Sequence, residues 1–283
     1  MADQRITIYT PDSQLTSPLK MLREMLRDLI VSRELAWRLT VRDLSAQYRQ
    51  TFLGFLWAII LPLANTLVWI FLSYSGIVNV SKTSLPYPIY VFTGTMLWAI
   101  LMDAVNAPLQ MVTASKSMLA KINFPREALV VAGIYQTSVN ALIKIVLLLI
   151  ALAVMGIHPS WSLLLLPIGI ISLIMTGTVL GLMLTPVGLL YTDVGKAIPL
   201  LMQFLMYLTP VVFAMPETGL PAKVYQLNPL SPLILTSRDW LTGLLPEYLS
   251  YFLIVNAVAM LLLLMFWIVF RLAMPILIER MGN

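Results

Sequence analysis

Long apolar runs separated by short polar segments make up most of the chain after its first fifty residues. Six runs are long enough to cross a bilayer, whose hydrocarbon core needs about 20 apolar residues per helix. They lie at 52–76, 88–112, 128–155, 161–190, 197–215 and 249–270. The pattern predicts an all-α integral membrane protein with six transmembrane helices. We expect kinks where prolines fall within these runs, at Pro62, Pro108, Pro186, Pro199 and Pro210.

The segment before the first apolar run is polar but carries apolar residues at helical spacing. From Pro18 onward, leucines recur every three or four residues among charged side chains. Further along, one stripe carries Trp37, Val41, Leu44 and Tyr48. We therefore expect residues 1–51 to form N-terminal amphipathic helices at the membrane surface. Residues 52–283 would then form the membrane domain.

Lysine and arginine are distributed unequally between the two sides of the predicted spans. One side carries Arg5, Lys20, Arg23, Arg27, Arg33, Arg38, Arg42, Arg49, Lys116, Lys121, Arg126, Lys196, Arg271 and Arg280. The other side carries Lys82, Lys223 and Arg238. Because cytoplasmic loops are rich in lysine and arginine, this asymmetry predicts that both termini are cytoplasmic.

The segment 216–248 is the least regular part of the predicted membrane domain. It mixes apolar runs with five prolines, at positions 216, 221, 229, 232 and 246. Irregular backbone exposed to lipid is strongly disfavoured. We therefore expect short re-entrant helices at the outer face of the membrane, placed between the fifth and sixth spans and suited to an external gate.

Composition supports a membrane protein and excludes several other classes. Hydrophobic residues make up 59% of the 283 residues and charged residues 11%, and the formal net charge is +5. The basic residues flank apolar spans, which indicates anionic lipid rather than nucleic acid as their neighbour. The chain has no cysteine, so it has no disulfide and no thiolate metal ligand. The single histidine, His158, lies in a short predicted turn and gives no support for a metal site.

No phosphate-binding loop of the G-x-x-x-x-G-K-[ST] type occurs in the sequence. At the nearest candidate, Gly195-Lys196, the first glycine is replaced by Leu190 and the hydroxyl residue by Ala197. Any ATP hydrolysis linked to this protein therefore requires a separate chain. A membrane-embedded enzyme would need a polar catalytic cluster, and none is evident in the sequence.

Two ionisable residues fall inside predicted spans, Asp103 in the second and Lys144 in the third. Charged residues in a bilayer are costly and are functional candidates. Their depths differ by roughly 10 Å at the helical rise of 1.5 Å per residue. An ion pair between them would require a fully extended lysine side chain or a shifted span boundary. If they do not pair, each charge would lie in a polar cavity or extend along the helix toward the membrane surface. An ion-coupled carrier would use residues of this kind.

Four short motifs lie between the predicted spans. The first runs from Arg42 through Leu53-Gly54-Phe55-Leu56-Trp57 to Pro62. The others are Asn123-Phe124-Pro125-Arg126, Leu208-Thr209-Pro210-Val211, and Leu227-Asn228-Pro229-Leu230 with Arg238. In this order they resemble motifs of the type-2 ABC permeases that export polysaccharides and polyol phosphates, including O-antigen exporters. One difference is Tyr191-Thr192-Asp193, where the family often has an Arg-Asp pair.

The resemblance implies a homodimeric permease of the cell inner membrane, with two copies of a cytoplasmic ATPase subunit as partners. The permease itself would not be an enzyme and would bind no cofactor, because ATP and Mg²⁺ would lie on the ATPase. A coupling helix at about 114–124 would contact that subunit. Its candidate residues are Ser117, Met118, Leu119, Lys121, Ile122 and Asn123.

The resemblance also implies a channel for a long glycan. Aromatic side chains of the first and fifth spans are candidates to line it or to form interfacial belts. They are Trp57, Trp69, Phe71, Tyr74, Phe204, Tyr207 and Phe213. The lipid-linked pyrophosphate would enter at Arg38, Arg42 and Arg49, because guanidinium groups match phosphate oxygens. The alternative role of these arginines is to anchor the helix to anionic lipid headgroups. External gate candidates are Asn228, Pro229 and Arg238. Gly177 and Gly181 predict close helix packing.

The function expected from the sequence is the permease subunit of an ATP-driven exporter of lipid-linked polysaccharide. O-antigen of lipopolysaccharide is the first expectation, followed by capsule and teichoic acid precursors. The alternatives are a small-molecule ABC exporter and an ion-coupled secondary transporter.

Overall fold

A computed structural model describes residues 18–49, 52–77, 83, 85–119, 121–122, 124–157, 160–216 and 218–282. These residues form helices and connecting segments and contain no strand. The α-helices are α1 Pro18–Arg49, α2 Trp57–Tyr74, α3 Tyr87–Ala114, α4 Lys116–Leu119, α5 Glu127–Val154, α6 Leu166–Leu190, α7 Thr192–Tyr207, α8 Gly219–Leu227, α9 Leu230–Thr242 and α10 Leu249–Gly282. Short 3₁₀ helices at Gly54–Leu56 and Trp161–Leu165 precede α2 and α6. His158 and Asn123 lie outside the described residues.

Within the described residues, five helical segments are long and apolar enough to cross a membrane. They are Trp57–Tyr74, Tyr87–Ala114, Glu127–Val154, Trp161–Leu190 and Leu249–Glu279. Five of the six predicted apolar runs therefore form membrane-length helices, and the all-α membrane class is confirmed.

The predicted span at 197–215 differs from the structure. The helix there, α7, starts earlier, at Thr192, and ends at Tyr207 after 16 residues. Its length is about 24 Å, which is less than the thickness of a bilayer core. Pro210 explains the end of the helix, because proline donates no backbone hydrogen bond and disfavours helical backbone in the residue before it.

Helix α3 lies at the centre of the bundle, in contact with α2, α5, α6, α7 and α9. Two glycines allow α6 to pack directly against it. A Cβ atom at Gly177 would collide with Ala104 and with the carbonyl oxygen of Leu101, and one at Gly181 would collide with Val105 and Pro108. The close packing predicted for these glycines is therefore confirmed.

Helix α2 is the least packed of the membrane-length helices. Thr66 is its only buried residue among those described, and its hydroxyl oxygen lies 3.4 Å from that of Thr95 on α3. An apolar cavity of about 160 Å³ lies between α2, α3 and α5. The remaining faces of α2 are free to contact lipid or another chain.

Helix α1 is one continuous helix that covers both amphipathic stretches seen in the sequence. It crosses the first turns of α5, where the Thr40 hydroxyl donates to the carbonyl oxygen of Ala132 at 3.1 Å. The rings of Trp37 and Tyr135 meet edge to face at 6.2 Å. We call this end of the bundle the α1 end and the opposite end the α9 end. Helices α3 and α6 run from the α9 end to the α1 end, and α5 runs in the opposite direction.

Candidate functional site

The two intramembrane charges form an ion pair between α3 and α5. The Lys144 Nζ atom donates to the Asp103 carboxylate at 2.5 Å. Gly133 of α5 packs against Ala107 of α3 and sets the relative level of the two helices. From this contact Lys144 lies about 16 Å and Asp103 about 6 Å toward the α9 end. The lysine side chain therefore extends back toward the α1 end, which closes the difference in depth noted from the sequence.

At the α9 end, Arg238 is fully buried beneath the backbone that follows α7. Its Nη1 and Nη2 atoms donate to the carbonyl oxygens of Pro210 and Val211, each at 2.9 Å. Its guanidinium carbon lies 3.8 Å from the centre of the Tyr90 ring. No carboxylate of the described residues forms an ion pair with it. The arginine serves instead as a donor for carbonyl groups that have no helical partner.

Tyr90 and Asn228 hold the same irregular segment. The Tyr90 hydroxyl lies 3.1 Å from the carbonyl oxygens of both Pro210 and Phe213. The Asn228 side-chain amide donates to the carbonyl oxygen of Leu208 at 2.8 Å, and its oxygen accepts from the backbone N–H of Leu230 at 2.9 Å. The structure thus brings two of the sequence motifs into contact, although they lie in separate parts of the chain.

The other gate candidate, Pro229, precedes the first residue of α9 with φ −66°. This angle matches the φ that the proline ring imposes, so Pro229 suits the start of a helix.

Beside Arg238, burial raises the pKa of Asp239 from 3.8 to about 6, while the guanidinium of Arg238 opposes part of this shift.

Three of the seven aromatic candidates come together near the α9 end. The ring of Trp69 on α2 contacts the rings of Tyr207 and Phe213 edge to face, at centroid distances of 6.0 and 5.7 Å. We call these three residues the aromatic cluster. The remaining four are exposed and lie outside it: Trp57, Phe71, Tyr74 and Phe204. The cluster joins the loosely packed α2 to the end of α7.

Two of the three arginines predicted to receive a phosphate group already have nearby partners. Arg38 pairs with Glu34 at 2.7 Å, and both side chains are largely exposed. Arg42 pairs with Asp43 at 2.6 Å and approaches the Ser115 hydroxyl at 3.4 Å. The side chain of Arg49 lies outside the described residues. Exposed ion pairs contribute little free energy, so these partners can be exchanged for a phosphate group at small cost.

The predicted coupling segment contains the one-turn helix α4. Leu119 is buried and Met118 is half-buried, and both pack against the bundle. Ser117, Lys121 and Ile122 are exposed. The surface left for a partner therefore consists mainly of these three side chains, and Met118 and Leu119 anchor the segment instead.

A largely buried charge cluster at the α1 end was not predicted from the sequence, in which Arg271 is only one of the basic residues on the more basic side of the spans. The Nη1 atom of Arg271 on α10 lies 2.9 Å from the Asp28 carboxylate of α1 and 2.5 Å from the Glu127 carboxylate of α5. Glu24 lies further away, at 3.9 Å. We call these four residues the Arg271 cluster. Its only sequence signal is the spacing of Glu24 and Asp28, which places both on one face of a helix.

Nothing in the described part of the chain brings three histidine or acidic side chains together as a metal site.

No protein-family model matches the chain. Curated proteins do show similarity. The O-antigen export system permease protein RfbA of Myxococcus xanthus is 24% identical over 74% of this chain and 81% of its own length. The protein of the same name from Klebsiella pneumoniae is 27% identical over 75% of this chain and 82% of its own length. The polysialic acid transport protein KpsM of Escherichia coli is 22% identical over 78% of this chain and 85% of its own length.

Proposed function

We propose that this chain, which belongs to the type-2 ABC permeases of polysaccharide exporters, forms with a second copy the channel through which a lipid-linked glycan leaves the cytoplasm. The chain is a permease, and ATP hydrolysis belongs to a separate subunit. Two copies of that ATPase would bind the homodimer and would hold ATP and Mg²⁺, with no cofactor on this chain. The protein would lie in the cell inner membrane.

The aromatic cluster is the observation that carries the proposal. It joins α2 to the end of α7. Apart from Thr66, which contacts α3, no described residue of α2 is buried against the rest of the described chain. Aromatic faces offer a broad contact area and require no fixed hydrogen-bond geometry. They therefore suit sugar rings that must bind and then dissociate during transport. A second copy of the chain beside α2 would close the channel wall.

The proposed topology has six spans with both termini cytoplasmic. In it, α7 and the segment that follows it complete the fifth crossing, and the hydrogen bonds from Arg238, Tyr90 and Asn228 satisfy the irregular backbone there. Irregular backbone within a membrane requires such protein partners. Helices α8 and α9 would form the external gate, and the α1 end would face the cytoplasm, where lysine and arginine are concentrated.

Coupling to the ATPase would occur at α4 and the residues after it. Ser117, Lys121 and Ile122 would contact the ATPase. The Arg42–Ser115 contact and the Arg271 cluster join this region to α1, α5 and α10. A displacement of α4 would therefore be transmitted to several helices together, because buried packed elements move as units.

The proposed cargo is a lipid-linked polysaccharide, with O-antigen first and capsule or teichoic acid precursors next. Similarity to permeases named for O-antigen export and polysialic acid transport supports a glycan over a small molecule. The positive side chains on α1 would receive the pyrophosphate of the lipid carrier.

Co-purification with a cytoplasmic ATPase subunit tests the proposal. We expect a stable complex of two permeases and two ATPases whose ATP hydrolysis rises when lipid-linked polysaccharide is added. An Ile122→Asp variant should lose ATPase binding, whereas Leu245→Asp, in the exposed segment between α9 and α10, should retain it. A chain that purifies without an ATPase and transports in response to an ion gradient would overturn the proposal in favour of a secondary carrier.

A further inference from the structure

One face of α3 is polar along the half of the helix nearest the α1 end. Between Asp103 and Thr113 the accessible positions are Asp103, Asn106, Gln110 and Thr113, and the seven others are buried. These four residues follow the spacing of a single helical face. They cover about 15 Å along the helix axis. We call this face the α3 strip.

The neighbouring helices show which way the α3 strip faces. Ala104, Val105 and Pro108 pack against the glycines of α6, and Ala107 and Met111 pack against Gly133 of α5. Leu109 points toward Gly188 and Gly195, where α6 passes into α7. At 100° per residue, the α3 strip lies opposite the α6 contact and between the directions of α5 and α7. No helix among the described residues fills this direction beside Gln110 and Thr113, which are exposed.

Toward the α9 end, the same side of α3 is occupied by α2. Thr95 continues the direction of the α3 strip and meets Thr66 of α2 at 3.4 Å. Trp69 lies three residues beyond Thr66 on α2, toward the α9 end, so the α3 strip leads toward the aromatic cluster.

Polar groups also border the α3 strip on α5. Gln136, Asn140 and Lys144 recur every four residues on one face of that helix. Lys144 reaches Asp103, and the Asn140 Oδ1 atom is buried without a hydrogen-bond partner among the described residues. An unpaired amide oxygen and a row of accessible polar side chains are costly against hydrocarbon. The space along the α3 strip and the polar face of α5 therefore requires water or a polar ligand.

We propose that the α3 strip is a track that binds the hydroxyl groups of the glycan in the α1-end half of the channel. The proposal rests on the proposed function and adds polar contacts to the aromatic ones. Carboxamide groups donate and accept hydrogen bonds together, which matches sugar hydroxyls. Several weak sites in a row bind a chain firmly enough to guide it and loosely enough to let it move.

Leucine substitutions test the track in the complete permease–ATPase complex. Asn106→Leu and Gln110→Leu should each lower glycan export about tenfold through lost hydrogen bonds to the moving cargo, with the complex still assembled. Asn256→Leu on α10 is the matched control, because both amides donate to the carbonyl oxygen four residues earlier, at 2.9 Å for Asn106 and 2.8 Å for Asn256. The control should export normally. Equal export by all three variants, at any level, would overturn the track.

Thiol labelling gives a second and independent readout. Since the chain has no cysteine, Asn106→Cys or Gln110→Cys introduces its only thiol. A charged thiol reagent added to inside-out vesicles should modify both, and lipid-linked glycan should slow the reaction. Leu261→Cys, on an exposed apolar face of α10, should stay unreactive because a thiolate does not form in hydrocarbon.

Unreactive thiols at 106 and 110 would place the α3 strip against lipid or protein and overturn the track. Absence of glycan export by the unaltered complex would instead refute the proposed function.

Discussion

The guanidinium group of Arg271 lies 2.5 Å from the carboxylate of Glu127, although 144 residues separate them in the chain. Both side chains are buried, and Asp28 of α1 completes the contact at 2.9 Å. One cation therefore joins the three helices α1, α5 and α10. Glu127 begins α5 directly after the Asn123–Arg126 motif, so the Arg271 cluster is adjacent in sequence to that motif.

Arg271→Gln should destabilise the protein strongly. The variant leaves buried Glu127 without its cation, a loss that costs about 3–5 kcal/mol in buried pairs. The free energy of unfolding, measured by denaturant titration in detergent micelles, tests this. Arg38→Gln is the control, because its exposed pair with Glu34 is worth less than about 1 kcal/mol. Adding Glu127→Gln to Arg271→Gln should recover part of the loss, and no recovery would contradict a direct charge pairing.

Arg238→Lys should weaken the segment after α7 even though it keeps the positive charge. Lysine lacks the planar fork that reaches the Pro210 and Val211 carbonyl oxygens together. Leaving a buried carbonyl unpaired costs about 1–3 kcal/mol. Faster proteolysis between residues 208 and 216 should reveal the change.

Tyr90→Phe should show a smaller defect of the same kind, about 1 kcal/mol for one lost hydrogen bond. Tyr251→Phe is the matched control, since its hydroxyl donates to the Leu227 carbonyl oxygen at an exposed position. If the two tyrosine variants resist proteolysis equally well, Tyr90 does not hold this segment.

Trp69→Ala should lower polysaccharide export without preventing dimer assembly. The substitution removes both edge-to-face contacts of the aromatic cluster, each worth about 0.5–1.5 kcal/mol. Export by the reconstituted complex, together with the mass of the purified dimer, measures the two effects separately. Phe71→Ala tests the exposed face of α2, and unchanged export by that variant would remove Phe71 from the channel lining.

The stability of the α9 end should fall as the pH rises from about 4 to about 7. Burial raises the pKa of Asp239 to about 6 from 3.8, so the folded protein binds this proton more tightly than the unfolded chain does. The stabilisation by the proton is complete below the unfolded value and is lost as the pH passes through the folded value. Asp239→Asn should flatten this dependence in thermal unfolding curves, and an unchanged slope would contradict its assignment to Asp239.

Hydrophobic pattern predicted most of the fold because membrane spans carry their signal locally. Five apolar runs appear as membrane-length helices, and Gly177 and Gly181 pack where small residues allow close approach. The end of α7 at Tyr207 was misplaced, since the apolar run continues past the point where Pro210 stops the helix.

The contacts within the candidate site were harder to predict because they join distant parts of the chain. Arg271 has no sequence neighbour that identifies Glu127 as its partner, and hydropathy alone did not show that Leu119 faces the bundle. The Asp103–Lys144 pair depends on the relative level of two helices, which Gly133 and Ala107 set through packing. Periodicity identifies faces, but only packing decides which faces meet.

In the proposed function, ATP hydrolysis by a separate subunit drives polysaccharide through this chain. Inside-out vesicles that contain the permease, its ATPase and a lipid-linked glycan measure this directly, with uptake of the glycan into the lumen followed over time. We expect uptake with ATP and Mg²⁺ that persists when ionophores collapse every ion gradient. Uptake that needs an ion gradient and proceeds without the ATPase would contradict it.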